Sequence, residues 1–229
     1  MRKPIKEQSL AILRERGIPI ETILDVGVQN QTQELIKAFP DKKHILFEPV
    51  REYFDAIRKN YASVNYELVP AAVGEVPGRS QLELKSIVEG QSVTHAGLVT
   101  GNGPGSSFAT ERRDIDVVSI DSFLAANSHP GPYLLKIDID GGELAVIAGA
   151  RASLAQASIV IVETPKAQLV ERIDVMMKSG FVLYDLAEPV YYDQSFWQCD
   201  AIFIRSDIYR ETFRQLTVDF DARLYTPFR

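Results

Sequence analysis

Two patterns of apolar and polar residues alternate along this chain. Short apolar runs rich in β-branched residues predict strands, and the stretches between them place apolar residues three or four apart, as helices do. This alternation is typical of a parallel sheet covered by helices on both faces. We predict strands at 22–26, 44–48, 64–69, 80–85, 114–120, 134–138, 158–163, 181–186 and 200–205, and helices at 5–16, 31–39, 50–60, 121–127, 142–150 and 167–179, with 206–229 a helix and then a tail.

The segment 86–110 interrupts this alternation. It is rich in Gly and Ser, and from Gly90 to Thr110 it carries no formal charge. It does not resemble a membrane span, since hydrocarbon would not solvate so many polar side chains and so much loop backbone. Loops of this length are uncommon unless they are functional or disordered. We interpret 86–110 as a flexible flap over an active site, with a flexible insertion as the alternative.

Composition narrows the class of protein. The 229 residues carry a net charge of -6, which disfavours a nucleic-acid acceptor. The single cysteine, Cys199, excludes an intrachain disulfide framework and fits a reducing compartment. The N-terminus has no apolar signal region, so we expect a cytoplasmic protein without a membrane span. One domain over 1–229, beginning with a helix within 1–20, accounts for the length, and homo-oligomerisation is left open.

Candidate ligand-binding residues lie at the ends of the first two predicted strands. Asp25 and Gly27 end the first strand, where a doubly wound sheet places its ligand. Glu48 ends the second strand, 21 positions after Gly27, which is the spacing of a carboxylate that binds the ribose hydroxyls of a nucleotide. A turn glycine and a surface glutamate are the structural alternatives.

The first turn favours one nucleotide over others. A dinucleotide fold needs further glycines to seat a pyrophosphate, and here Gly27 is followed by Val-Gln-Asn-Gln-Thr. An NAD-dependent oxidoreductase is therefore a weak hypothesis. A ligand with a ribose and no pyrophosphate fits better, and S-adenosylmethionine is such a ligand.

The segment from Leu134 to Ala150 carries a family resemblance. It reads LLKIDIDGGELAVIAGA and resembles the K-I-D-V-E-G-x-E-x-x-V-L-x-G-A motif of the FkbM-type S-adenosylmethionine-dependent methyltransferases. The family's other elements follow in order: DVG at 25–27, FEP at 47–49, PAAVG at 70–74, VxxID at 117–121 and VE at 162–163. The resemblance covers about residues 22–205. It implies an α/β fold with a Rossmann-like class I methyltransferase sheet, six strands parallel and the seventh antiparallel.

The resemblance also implies a cofactor and an acceptor. S-adenosylmethionine would be the methyl donor, and the acceptor would be a hydroxyl of a small molecule or glycan, such as a sugar or polysaccharide precursor. The residues expected to hold the cofactor are Asp25, Gly27, Gln29, Glu48 and the backbone near Ala72.

Three residues are candidates for catalysis. Asp138 and Glu163 end neighbouring strands, where a carboxylate can accept the acceptor's proton or hold a divalent cation. Two carboxylates alone provide few ligands for a divalent cation, so the sequence leaves the metal requirement open. His95 is the one histidine that we would assign as a base, although a solvated loop histidine is the alternative. Glu143 is better explained as a first-turn helix residue.

The first turn departs from the family pattern. Val28, Gln29 and Gln31 stand where the family has Ala, Asn and a second Gly. Gln31 adds a side chain where backbone approaches the ligand in the family. A non-catalytic binding protein on a degenerate methyltransferase fold is therefore the alternative hypothesis.

Overall fold

A computed structural model describes residues 2–85, 95–98, 110–215, 217–218 and 220–225. The strands are β1 (Thr22–Val26), β2 (Lys43–Phe47), β3 (Asn65–Val69), β4 (Ala72–Val73), β5 (Gly78–Lys85), β6 (His95–Leu98), β7 (Thr110–Val118), β8 (Tyr133–Ile137), β9 (Ala157–Pro165), β10 (Phe181–Tyr192) and β11 (Ser195–Arg205). The helices are α1 (Lys6–Glu15), α2 (Gln33–Ala38), α3 (Phe54–Asn60), α4 (Ile120–Ala126), α5 (Glu143–Ala148), α6 (Arg151–Leu154), α7 (Leu169–Lys178) and α8 (Ser206–Thr212).

The main sheet has seven strands in the order β10-β11-β9-β8-β1-β2-β3. β11 is antiparallel to both of its neighbours, and the other pairs in the sheet are parallel. Six strands are therefore parallel and one is antiparallel, which confirms the predicted Rossmann-like α/β sheet. The chain builds outward from β1 to β3 and then returns to β8 on the other side of β1, so the switch in strand order lies between β1 and β8.

Both faces of the main sheet are buried because helices cover them. In β9, Val160 and Val162 pack into one apolar cluster, while Ile159 and Ile161 pack into the cluster on the opposite face. Leu10 and Leu13 of α1 join this second cluster. Such two-sided burial requires continuous apolar strands, and this is why the predicted strands read as unbroken hydrophobic runs.

A second sheet was not predicted from the sequence. It has the order β4-β7-β5-β6, and it joins the strands predicted at 80–85 and 114–120 to two further strands. β5 pairs antiparallel with β7 along its whole length, from Gly78 opposite Val117 to Lys85 opposite Thr110. Leu82 and Leu84 of β5 pack into a third apolar cluster with β2 and α3. The apolar-polar alternation of these segments therefore reflects a sheet that is buried on one face.

The predicted flap contributes one strand to the second sheet. β6 pairs antiparallel with β5, and its residues 96–98 are half-buried. The other parts of the predicted flap, 86–94 and 99–109, lie outside the described residues. Among the helices that the structure describes, none is both long and apolar enough to span a membrane.

Candidate active site

A cleft of about 250 Å³ opens at the carboxyl ends of β1, β2, β8 and β9. Ligands of open α/β sheets bind in this place, beside the switch in strand order. Of the described residues that line it, four are acidic and none is Lys or Arg. The acidic residues are Glu48, Asp138, Asp140 and Glu163.

Gly27 shapes the first turn of the cleft. Its φ is +82°, and a Cβ at this position would lie 1.8 Å from the carbonyl oxygen of Asp138. Only glycine allows the ends of β1 and β8 to approach so closely. The next cleft residue, Gln29, also has a positive φ, of 51°, so the chain enters the left-handed region a second time in this turn. The turn that was predicted to bind a cofactor thus brings backbone to the cleft surface.

Glu48 lies in the cleft wall directly after β2. Its carboxylate accepts hydrogen bonds from the backbone N–H groups of Gln29, at 2.7 Å, and Val50, at 2.9 Å. Burial raises the pKa of Glu48 to about 7, although these backbone donors act in the opposite direction. The carboxylate therefore fixes the first turn of the site in addition to facing the cleft. Its predicted contact with a ribose stays a prediction.

Asp25 does not line the cleft. It is fully buried, and its carboxylate accepts hydrogen bonds from Lys136 Nζ at 3.2 Å and from the hydroxyl of Tyr61 at 3.3 Å. Lys136 Nζ also contacts Asp138 Oδ2 at 3.2 Å and donates to the carbonyl oxygen of Gly27 at 3.1 Å. Asp25 and Lys136 thus support the cleft from beneath, and direct cofactor binding by Asp25 stays a prediction.

Asp138 is the first residue after β8 and is partly exposed to the cleft. Burial tends to raise its pKa, but the neighbouring positive charge of Lys136, with a smaller contribution from Lys6, holds that pKa below its ordinary value. Asp138 is therefore an anion at neutral pH, suited to binding a positive group and poor at accepting a proton.

Glu163 faces the same cleft from β9. Burial raises its pKa to about 7, and the negative charges of Asp138 and Asp200 act in the same direction. Gln198 of β11 donates a hydrogen bond to Glu163 Oε1 at 2.5 Å. Two neighbouring carboxylates with pKa values moved in opposite directions are typical of sites that divide the roles of acid-base group and fixed charge.

The remaining predicted site residues, Ala72 and His95, belong to strands of the second sheet. Ala72 lines an apolar hollow of about 40 Å³ together with Ala96 and Leu98 of β6. The backbone N–H of Ala96 donates to Asp140 Oδ2 at 2.9 Å, so β6 is tied to the turn after β8. An adenine ring beside Ala72 would require this hollow to widen. His95 begins β6, but its side chain is outside the described part of the structure, so its role as a base stays a prediction.

Some residues that support the site were not predicted from the sequence. Glu143 is the first residue of α5, as predicted. It is also buried and paired with Arg172 of α7, whose Nη2 lies 2.6 Å from Glu143 Oε2, and neither feature was predicted. Gln198 and Lys6 come from the two ends of the chain, and no local motif marks either. In the described ranges, no group of three or more His, Cys, Asp or Glu residues has the arrangement of a metal site.

The sheet order, the glycine turn and the acidic cleft at the switch point define an α/β protein with the architecture of a Rossmann-like methyltransferase. Residues 25–183 match the model of the methyltransferase FkbM domain. The chain therefore belongs to this family, whose methyl donor is S-adenosylmethionine. No curated protein matched the chain by sequence.

Several solved structures are similar to the chain at low sequence identity. A precorrin-6y C5,15-methyltransferase from Geobacter metallireducens GS-15 is 12% identical, with a TM-score of 0.46 over 90% of this chain and 92% of that one. An rRNA methylase from Streptococcus thermophilus is 8% identical, with a TM-score of 0.49 over 90% and 98%. A magnesium protoporphyrin IX methyltransferase from Synechocystis PCC 6803, with bound SAM, is 9% identical, with a TM-score of 0.48 over 88% and 78%. At these scores, we draw no argument from them about the acceptor.

Proposed function

We propose that this protein transfers the methyl group of S-adenosylmethionine to a hydroxyl oxygen of a sugar or polysaccharide precursor. The observation that carries the proposal is the cleft at the switch point, whose described lining has four carboxylates and no cationic side chain. A sulfonium cation is favoured in such a field, whereas a pyrophosphate would be repelled. The cofactor supplies an electrophilic methyl group when bound.

Glu163 is the proposed general base. With a pKa of about 7, its carboxylate is partly deprotonated at neutral pH. It would accept the proton of the acceptor hydroxyl when the methyl group moves from the sulfur of the cofactor to the hydroxyl oxygen, which leaves S-adenosylhomocysteine. Gln198, which donates to Glu163 Oε1, orients this carboxylate. Asp138 stays anionic beside Lys136 and is better suited to hold a positive group of the cofactor.

The sugar acceptor is supported by an aromatic hairpin at the edge of the cleft. β11 pairs with β9 only from Gln198, which lies opposite Pro165 and lines the cleft. Residues 191–197, where β10 and β11 pair only with each other, therefore extend past the end of β9. Tyr192 and Trp197 are 75% and 51% exposed, and their rings lie 6.3 Å apart. Exposed aromatic faces stack on the C–H surface of a sugar ring, and adjacent carboxylates accept hydrogen bonds from its hydroxyls.

The test measures S-adenosylhomocysteine formed from S-adenosylmethionine with a panel of sugar nucleotides and oligosaccharides. We expect product with an acceptor hydroxyl, and a loss of about 10²- to 10⁴-fold in kcat for Glu163→Gln, which is the usual contribution of a general base. Glu171→Gln is the matched control, because Glu171 is exposed on α7. Methyl transfer to nitrogen or to RNA would contradict the proposal. Cofactor binding without transfer to any acceptor would instead support the non-catalytic alternative.

The chain contains a direct reporter for the hairpin. Trp197 is its single tryptophan, so fluorescence excited in the indole band reads this surface alone. We expect a productive acceptor to change the emission of Trp197 and Tyr192→Ala to raise the KM for that acceptor without altering cofactor affinity. Tyr225→Ala is the control, since Tyr225 is similarly exposed at 66%. Unchanged emission and KM would refute the role of the hairpin.

A further inference from the structure

A second, smaller recess adjoins the cleft on the side of α1. This recess, here called the α1 groove, has a volume of about 180 Å³. It shares Gly27, Gln29 and Asp138 with the cleft, so one ligand can extend from the cleft into it. Its remaining wall includes Lys6 of α1 and Glu34 of α2.

Lys6 is held in the wall of the α1 groove by two carboxylates. Its Nζ lies 2.8 Å from Glu34 Oε1 and 2.9 Å from Asp200 Oδ2, and the side chain is 12% exposed. Among the described residues these are its two acceptors, so one of its three ammonium hydrogens is left for a ligand. A lysine anchored at two points presents that hydrogen in a fixed direction, at little further cost in side-chain entropy.

The other lysine of the groove, Lys136, already has an acceptor for each of its three ammonium hydrogens. Lys136 Nζ has three acceptors at 3.1–3.2 Å, namely a carboxylate oxygen of Asp25, one of Asp138, and the carbonyl oxygen of Gly27. It therefore has no hydrogen left for an anion. The α1 groove thus offers one cation with remaining hydrogen-bonding capacity, Lys6. It also offers two partly exposed carboxylates, of which Glu34 is already paired with Lys6 and Asp138 is the more exposed.

This arrangement of charges complements an amino-acid zwitterion. A ligand in the groove needs a carboxylate to meet Lys6 and an ammonium group to meet Asp138, joined through a short chain to the part that lies in the cleft. Free amino-acid ends of this kind occur on S-adenosylmethionine and on its product, S-adenosylhomocysteine. They do not occur on an adenosine that lacks the amino-acid portion.

We propose that the α1 groove is the binding subsite for the amino-acid end of the cofactor, with Lys6 Nζ binding its α-carboxylate and Asp138 its α-ammonium group. This inference rests on the proposed function. It assigns to the N-terminal helix a direct part in holding the cofactor. Lys6, the residue that the helix contributes, lies outside the residues 25–183 that match the family model.

Calorimetry with two ligands tests the subsite. S-adenosylhomocysteine carries the amino-acid end, and 5′-methylthioadenosine lacks it. For Lys6→Ala, we expect the Kd for S-adenosylhomocysteine to rise at least about tenfold and the Kd for 5′-methylthioadenosine to stay within twofold of wild type. Lys6→Arg should retain most of the affinity because the charge and its donors remain. Lys37→Ala is the matched control, since Lys37 of α2 forms an exposed ion pair with Glu7 of α1.

The ratio of the two Kd values within each variant separates binding from folding. An equal loss of affinity for both ligands would show that Lys6 acts only on the structure, and an unchanged ratio would overturn the subsite while leaving the proposed function in place. If Lys6→Ala folds poorly, Lys6→Gln provides the same comparison with a polar group. Failure of the wild-type protein to bind either ligand would refute the proposed function itself.

Discussion

The buried pair beneath the cleft provides a sharp test of how the site is supported. Lys136→Met removes the cation that contacts Asp25 and Asp138, and it leaves the Asp25 carboxylate fully buried with only the Tyr61 hydroxyl as a side-chain donor among the described residues. Removing one partner of a buried ion pair costs about 3–5 kcal/mol, because the remaining charge is uncompensated. For a chain of this size, about 1 kcal/mol lowers Tm by about 2–4 °C.

The assay is urea unfolding followed by far-ultraviolet circular dichroism at pH 7. We expect Lys136→Met to lose about 3–5 kcal/mol, because the buried Asp25 carboxylate is left without its cation. The double variant Asp25→Asn/Lys136→Met removes both charges, so it should recover at least about half of the loss. A single-variant loss below about 1 kcal/mol, or a double variant no more stable than the single one, would refute the reasoning.

The remaining predictions concern the turn, the proposed base and the second buried pair. Gly27→Ala should abolish binding of S-adenosylhomocysteine in calorimetry, because its Cβ would overlap the carbonyl of Asp138; affinity within threefold of wild type would contradict this. Glu163→Gln should be as stable as wild type below about pH 4 and more stable by about 3–4 kcal/mol well above pH 7. The reason is that the raised pKa of Glu163 makes the folded wild-type protein lose stability as pH rises from about 4.3 to about 7, at about 1.4 kcal/mol for each unit of pKa. A difference that does not change with pH would exclude this. Arg172→Met should cost about 3–5 kcal/mol in urea unfolding because it leaves Glu143 unpaired, and a loss equal to that of the exposed control Arg58→Met would show that the pair is unimportant.

Much of the fold was predictable because strand and helix patterns are local. The segment at 22–26 is apolar on both faces and became the fully buried β1. The helix predicted at 5–16 became α1, since Leu10 and Leu13 lie on one side of it. A sheet of seven strands with one antiparallel was expected from the family resemblance, but the order of its strands was not. The sheet of β4-β7-β5-β6 was not, because its order depends on which segments pair across long distances in the chain.

The candidate site, like the fold, was predicted from the sequence only in part. Gly27, Glu48, Asp138 and Glu163 were found from sequence because each lies at or near the end of a strand, and the ends of parallel strands meet at one edge of the sheet. Asp25 was found in the same way, but its carboxylate turns inward to Lys136, and the motif gives no signal for that direction.

The sequence by itself determined where strands end, and so which carboxylates and which glycine meet at the switch point. Only the tertiary structure decided how these groups are charged and supported. The pKa of Glu163 rises and that of Asp138 falls because of burial and neighbours that arrive from distant segments. Lys6 reaches the α1 groove through contacts with Glu34 and Asp200, residues 28 and 194 positions away in the chain. Periodicity records the local geometry of the backbone, whereas electrostatics and hydrogen-bond partners depend on the three-dimensional packing.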